Sequence, residues 1–467
     1  MAVGSESGAQ QRKRATATSS FGVSRRENHD ASGFYARFAA PVLSDGARVE
    51  APGVVDQIYV GDARRMERVR PSSVALVVTS PPYFAGKAYE EELGAGHIPA
   101  TYVEYLTMLE EVFAECVAKL EDGGRIAVNV ANLGRKPYRS LSADVIGILQ
   151  DRLGLLLRGE VIWRKGRGAG GNCAWGSFKQ PANPVLRDLT ERVVIASKGR
   201  FDRAVKPPER AARGLPSVPT TTADEFMDAT LDVWELAPES ATRVGHPAPF
   251  PVELPQRLIE LYTYRGDVVL DPFMGSGTTA VAAVRTARHY LGYDTDEGYA
   301  RAARERAAAA TADALADPPV ARPDKAVEAA RALLEAAGFA LEPPARTKRR
   351  RFAGGLSVDV VATDAASSEW LVLVAGTGTV ARSGLRRSDV LFRALGEASV
   401  LTTAGHRVLV LTTDLPARGS SAHAALGAAR GATLIDAVEL ASPGAVERLA
   451  AYAKGAPDPI GDLLPGT

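Results

Sequence analysis

From Asp56 to about Ala307, short β-branched runs alternate with longer stretches of helical spacing. Gln57-Ile58-Tyr59-Val60 and Val74-Ala75-Leu76-Val77-Val78 are nearly continuous apolar runs, which predict buried strands. Thr101 to Leu120 carries apolar residues at helical spacing and stops at Asp122-Gly123-Gly124. Further strands are predicted at 126–130, 159–163, 193–196, 268–270 and 290–293. This alternation predicts an α/β fold with a mostly parallel sheet covered on both faces. The stretch Lys198 to Thr222, rich in Pro, Arg and Ala, reads as an exposed loop. An Ala-rich helix over 302–316 runs into Asp317-Pro318-Pro319, which reads as a linker. A helix at 325–337, a basic run at 346–351 and strands at 357–361, 370–374 and 407–411 then predict a second, smaller α/β domain over 320–467. No internal repeat is visible.

Composition narrows the classes. The 467 residues leave room for roughly two to four domains. With 46% hydrophobic and 24% charged residues the chain is of ordinary globular type. Lys and Arg number 56 against 55 Asp and Glu, a net charge of +1, which excludes a uniformly basic coat. Any nucleic-acid contact must therefore come from local basic patches. Cys116 and Cys173 are too few for a disulfide framework or a four-thiolate zinc site; they suit a reducing cytoplasm, and no metal site is expected. No run of about 18 apolar residues occurs, so no membrane span is expected. The N-terminus, small and polar around Arg12-Lys13-Arg14, lacks the apolar stretch of a secretory signal. Residues 1–53 read as a disordered tail, with a DNA-grazing arm as the alternative, and folded structure is expected from near Val54.

The first candidate site is Asp271-Pro272-Phe273-Met274-Gly275-Ser276-Gly277-Thr278-Thr279, between a strand and a helix. Glycines there let the backbone turn tightly and approach a ligand. The next strand ends in Asp294, an acidic residue that can accept from both hydroxyls of a ribose. The turn lacks the Lys of a phosphate-binding P-loop, and its glycine spacing is not that of a dinucleotide site. An adenosine cofactor without phosphates fits better, and S-adenosylmethionine is the natural candidate. A plain structural loop is the alternative.

The second is Thr79-Ser80-Pro81-Pro82-Tyr83, at a strand end. Two prolines fix the backbone and remove two N–H donors, leaving acceptors on Ser80 and the nearby carbonyls beside the Tyr83 ring. That set suits a planar base with an exocyclic amine. The alternative is a strand-terminating turn.

Together these two segments resemble the amino-methyltransferases of DNA, which methylate cytosine N4 or adenine N6. Because the Ser-Pro-Pro-Tyr segment precedes the Gly-rich turn, the order is similar to the family's permuted, beta-class arrangement. The resemblance runs from about Ile58 to Arg306. Within it Gly61-Asp62 matches the segment before the catalytic motif, and His246-Pro247-Ala248-Pro249-Phe250-Pro251 matches a further cofactor segment. It implies a Rossmann-like, seven-stranded sheet whose antiparallel edge is formed by 159–163 and 193–196. It also implies cofactor contacts from Asp62, His246, Pro247, Phe250, Asp271, Pro272, Phe273, Gly275, Ser276, Gly277, Thr278 and Asp294. Ser80, Pro81, Pro82 and Tyr83 are implied as the catalytic set. The target base must leave the helix at a cost of a few kcal/mol, and Tyr83 offers it a stacking partner. Ser80 and the Pro81 carbonyl should hold the amine for direct in-line transfer, without a covalent cysteine intermediate. Serine at the first motif position is typical of the cytosine-N4 members, so cytosine N4 is expected ahead of adenine N6. RNA or protein methylation, or a DNA-binding module without catalysis, are the competing readings.

Arg164, Lys165 and Arg167, with Arg135 and Lys136 earlier, interleave with aromatics and glycines and are the expected contacts to double-stranded DNA, with a solvated loop as the alternative. Target recognition is expected in short insertions around 164–242. A cognate restriction endonuclease or defence-system protein is the expected partner. In the C-terminal part, the segments Val358 to Asp364 and Glu369 to Gly376 have the rhythm of a restriction-endonuclease core. Its Glu-any-Lys positions hold Leu373, Val374 and Ala375, so the resemblance implies a degenerate nuclease fold, used for DNA binding or docking. Arg382, Arg386, Arg387 and Arg393 would then face phosphates. An unrelated interaction domain is the alternative.

Overall fold

The computed structural model describes residues 43–82, 101–132, 138–166, 179, 186, 189–239, 250–316, 325–343, 350–376, 384–386, 388–416 and 418–456. In chain order the first sheet and its helices are β1 (Gln57–Val60), β2 (Val74–Thr79), α1 (Tyr102–Lys119), β3 (Leu120–Val130), β4 (Leu156–Lys165), β5 (Thr190–Ser197), β6 (Val233–Leu236), α2 (Glu253–Tyr262), β7 (Val268–Asp271), α3 (Thr278–Arg285), β8 (His289–Asp294) and α4 (Glu297–Ala316). The strand order is β1-β8-β7-β2-β3-β5-β4-β6. β1, β8, β7, β2 and β3 run parallel, β5 is antiparallel to both β3 and β4, and β6 lies parallel to β4.

The central strands are apolar on both faces because both are covered. Leu270, Val77, Ile126 and Val128 pack on one side with Leu109 and Phe113 of α1. Val269, Leu76, Val78 and Ala127 pack on the other with Leu254 and Leu258 of α2. α1 starts at a capping box: Thr101 accepts from the Glu104 N–H while the Glu104 carboxylate accepts from the Thr101 N–H. β7 and β2 are neighbours whose chains depart in opposite directions, which makes their carboxyl ends the reversal point where ligands bind in doubly wound sheets.

Three expectations need correction. The sheet has eight strands among the described residues, not seven. β6 extends it beyond the antiparallel pair because Trp234 and Leu236 turn inward while Val233 and Glu235 face out. The Trp163 indole N–H donates to the Leu236 carbonyl at 2.9 Å, and the Arg257 guanidinium lies over the Trp234 ring. Ordered structure also begins before Val54: Asp122 and Arg48 exchange hydrogen bonds, and Val49 is buried. Finally, 198–222 is not simply an exposed loop. Arg203 and Arg210 are buried against Glu121 and Asp267, with Arg210 to Asp267 at 2.8 Å, at the amino ends of β3 and β7, opposite the reversal point. Buried guanidinium groups persist only when paired in this way.

The second sheet is built from β9 (Ala340–Leu341), β10 (Val360–Thr363), β11 (Glu369–Ala375), β12 (Arg407–Thr412) and β13 (Asp436–Glu439), in order β13-β12-β11-β10-β9. β9, β10 and β11 are mutually antiparallel, and β11, β12 and β13 are parallel. Leu373 and Ala375 pack into one apolar layer and Val374 into the other, while Asp359 accepts the Val374 N–H at 2.8 Å. Among the described residues no cluster of His, Cys, Asp or Glu suits a metal ion, and no helix is long and apolar enough to cross a membrane.

Candidate active site

The Gly-rich turn is held from below by one carboxylate. Asp271, at the end of β7, accepts the Thr79 hydroxyl at 2.6 Å and the Phe273 N–H at 3.1 Å on one oxygen, and the Thr279 hydroxyl at 2.6 Å on the other. It is 1% exposed. Burial pushes its carboxyl up to about 7, against the pull of these three donors and with a further upward push from Asp294. Asp271 therefore clamps the base-side motif to the turn, and its oxygens are not presented to a ligand.

The turn itself needs its glycines. Gly275 and Gly277 lie at φ 51° and 84°, and a Cβ on Gly277 would stand 2.8 Å from Ala303 of α4. Asp294, at the end of β8, accepts the Gly275 N–H at 2.8 Å and the Asp296 N–H at 2.9 Å. Burial again raises its carboxyl above the ordinary value. Phe273, Gly275 and Asp294 are the partly exposed members of this cradle, whereas Pro272, Gly277 and Thr278 are buried. Ser276 turns away from the strand ends: Arg306 of α4 donates to its carbonyl at 2.6 Å and its hydroxyl at 2.9 Å. A half-buried ring, a bare backbone and a carboxylate, with no Lys or Arg in the turn, fit an adenosine bearing a cationic sulfonium and disfavour phosphates.

Next to the cradle, β2 delivers Thr79 and Ser80. The Ser80 hydroxyl donates to the backbone carbonyl of Asn129 in β3 at 3.1 Å, so its proton is committed and its oxygen acts toward other groups as an acceptor. The Pro82 carbonyl is taken by the Tyr105 hydroxyl at 2.8 Å, whereas the Pro81 carbonyl has no partner among the described residues. Tyr83, His246, Pro247, Arg135, Lys136 and Arg167 lie outside the described residues. Asp62 is half-exposed and held by Arg64 through several hydrogen bonds, at 2.6 Å for the shortest, and the neighbouring Gly61 N–H donates to the Asp294 carbonyl. Phe250 is packed into the apolar layer beneath α2.

The basic pair at the end of β4 divides. Arg164 is half-exposed, 3.6 Å from Glu235. Lys165 turns inward to Glu191 at 2.6 Å, a pairing that a reading of the Arg-Lys run alone does not reveal. Thr79, Thr279, Asn129 and Glu191 received no role from the sequence. Thr79 and Thr279 were within reach, since both flank motif residues; Asn129 and Glu191 gave only the signal of a polar residue inside an apolar strand.

The chain is similar to known proteins. The family model described as DNA methylase matches residues 74–305. The type II methyltransferase M.MjaI of Methanocaldococcus jannaschii is 30% identical over 276 residues, spanning 52% of this chain and 87% of that one. M.BglI of Bacillus subtilis, also a type II methyltransferase, is 28% identical over 300 residues, spanning 52% and 83%. Among solved structures, a Thermus thermophilus protein complexed with S-adenosyl-L-methionine is 29% identical, covering 55% of this chain and 95% of that one, with a TM-score of 0.42.

Proposed function

This chain belongs to the DNA methylase family of amino-methyltransferases, and we propose that it methylates the exocyclic N4 amine of cytosine in a base turned out of duplex DNA. Its cofactor is S-adenosylmethionine, which when bound supplies an electrophilic methyl group on a sulfonium. Phe273, Gly275 and Asp294 hold the adenosine, with Asp294 taking the ribose hydroxyls. Ser80 accepts one N–H of the target amine, because its own proton is committed to the Asn129 carbonyl. The Pro81 carbonyl accepts beside it, and Tyr83 stacks on the base. Fixing the amine in this way aims its lone pair along the line of transfer, so catalysis is chiefly positioning. The nitrogen forms its bond to the methyl carbon as the carbon–sulfur bond breaks, and one amine proton then leaves to solvent.

The observation that carries this reading is the clamp from Thr79 through Asp271 to Thr279, which joins the acceptor motif to the cofactor turn. Cytosine rests on Ser80 standing at the first motif position. Arg164 contacts the DNA backbone, and the chain serves in the cytoplasm to mark DNA against a restriction endonuclease of matching specificity. The test is to incubate the full chain with mixed-sequence duplex DNA and labelled S-adenosylmethionine, then digest to nucleosides for mass spectrometry. N4-methylcytosine is the expected product. N6-methyladenine would overturn the choice of base, and the absence of any methylated nucleoside would overturn the DNA substrate.

A further inference from the structure

Asn129 is the one polar side chain between Ile126 and Val130, and it is 1% exposed. Its amide nitrogen donates to Glu191 of β5 at 2.6 Å. Glu191 is buried too, and its other oxygen meets the Lys165 ammonium of β4 at 2.6 Å. The Asn129 amide oxygen is buried and has no hydrogen-bond partner among the described residues. Leaving a buried acceptor unpaired is unfavourable, and burying a carboxylate beside it is more so unless it is paired. Apolar residues such as Ala127 and Val193 occupy neighbouring places on that face without this cost. An ionised carboxylate accepts only, so it fixes which end of the amide faces it. The amide oxygen is thereby held on the side away from Glu191, on the residue whose backbone carbonyl anchors Ser80.

We propose that Asn129 supplies a further acceptor for the target amine through its amide oxygen, and that Glu191, braced by Lys165, is the positioning residue that keeps this oxygen turned toward the base. The proposal rests on the reading of this site as the amine-methylating one. An amine with one N–H shared between Ser80 and the Pro81 carbonyl and the other accepted by Asn129 keeps a single direction for its lone pair. Lys165 is then part of the site's internal wiring, not a phosphate contact.

The experiment is single-turnover methylation of mixed-sequence duplex DNA by the full chain, with S-adenosylmethionine affinity measured in parallel by calorimetry. Asn129→Ala should slow transfer about 100-fold, and Glu191→Gln at least about 10-fold, with cofactor affinity unchanged in both. In the double variant Glu191→Gln should add nothing to the loss from Asn129→Ala, because it acts only through that amide. Asn129→Leu, close in volume and without an amide, replaces Asn129→Ala if the smaller residue lowers the melting temperature below that of the assay. Wild-type rates in either single variant, or equal losses from Glu191→Gln with and without Asn129, would overturn the proposal. A wild-type chain that binds cofactor and methylates no DNA would instead overturn the substrate reading beneath it.

Discussion

Asp271→Asn isolates the clamp, since the amide keeps the shape and the Thr79 and Thr279 hydroxyls can turn to suit it. The wild-type carboxyl sits near 7 in the folded chain because it is buried, against an ordinary value of 3.8. Between those two values the folded state holds a proton that the unfolded state has lost, so wild-type stability falls as pH rises through this window and levels off above about 7. Those two values correspond to a loss of about 2.7 kcal/mol between about pH 5 and pH 8. The Asn variant has no such proton, so this loss should be missing from its profile. Urea unfolding of the cofactor-free chain at four pH values across that range measures the difference directly. The gap between the two proteins should move in favour of the Asn variant by about 2–3 kcal/mol toward alkaline pH. Parallel profiles would refute the argument, because they would mean that Asp271 titrates alike in both states.

The remaining expectations address other parts of the site. Ser80→Ala should lower the single-turnover methylation rate about 100-fold while leaving cofactor affinity nearly unchanged in calorimetry. Asp294→Ala should do the reverse, weakening S-adenosylmethionine binding about tenfold or more through loss of a charged acceptor. Gly277→Ala meets both a positive φ and Ala303 at 2.8 Å, so its melting temperature and cofactor affinity should both drop. Arg210→Met leaves Glu121 and Asp267 with Arg203 alone and should cost about 3 kcal/mol in urea unfolding.

What could be read from the sequence was what the chain encodes locally. Gly275 and Gly277 announce a tight turn, Pro81 and Pro82 a rigid strand end, and the apolar runs at 74–78 and 268–270 buried strands. Asp271 was legible as important, yet its partner Thr79 lies 192 residues away, so its role as a clamp, not a ligand, was not. Separation along the chain likewise hides Glu191 from Asn129, 62 residues earlier, and Arg210 from Glu121, 89 residues earlier. A Pro- and Arg-rich stretch reads as solvent-exposed because charge usually is; only the folded arrangement of Glu121 and Asp267 makes burial of Arg203 and Arg210 tolerable. β6 escaped notice because four residues of alternation fall below what periodicity can distinguish from a loop.

The Thr79–Asp271–Thr279 bridge has a thermodynamic consequence. A ligand that stiffens the turn at Phe273 also stiffens the end of β2, since the Asp271 carboxylate is bonded to both. The two binding events then share a coupling free energy, and whatever factor the cofactor adds to DNA affinity, DNA must return to the cofactor. If that coupling is favourable, loading the methyl donor readies the base pocket before a base arrives, and a bound base in turn retains the donor until transfer is done.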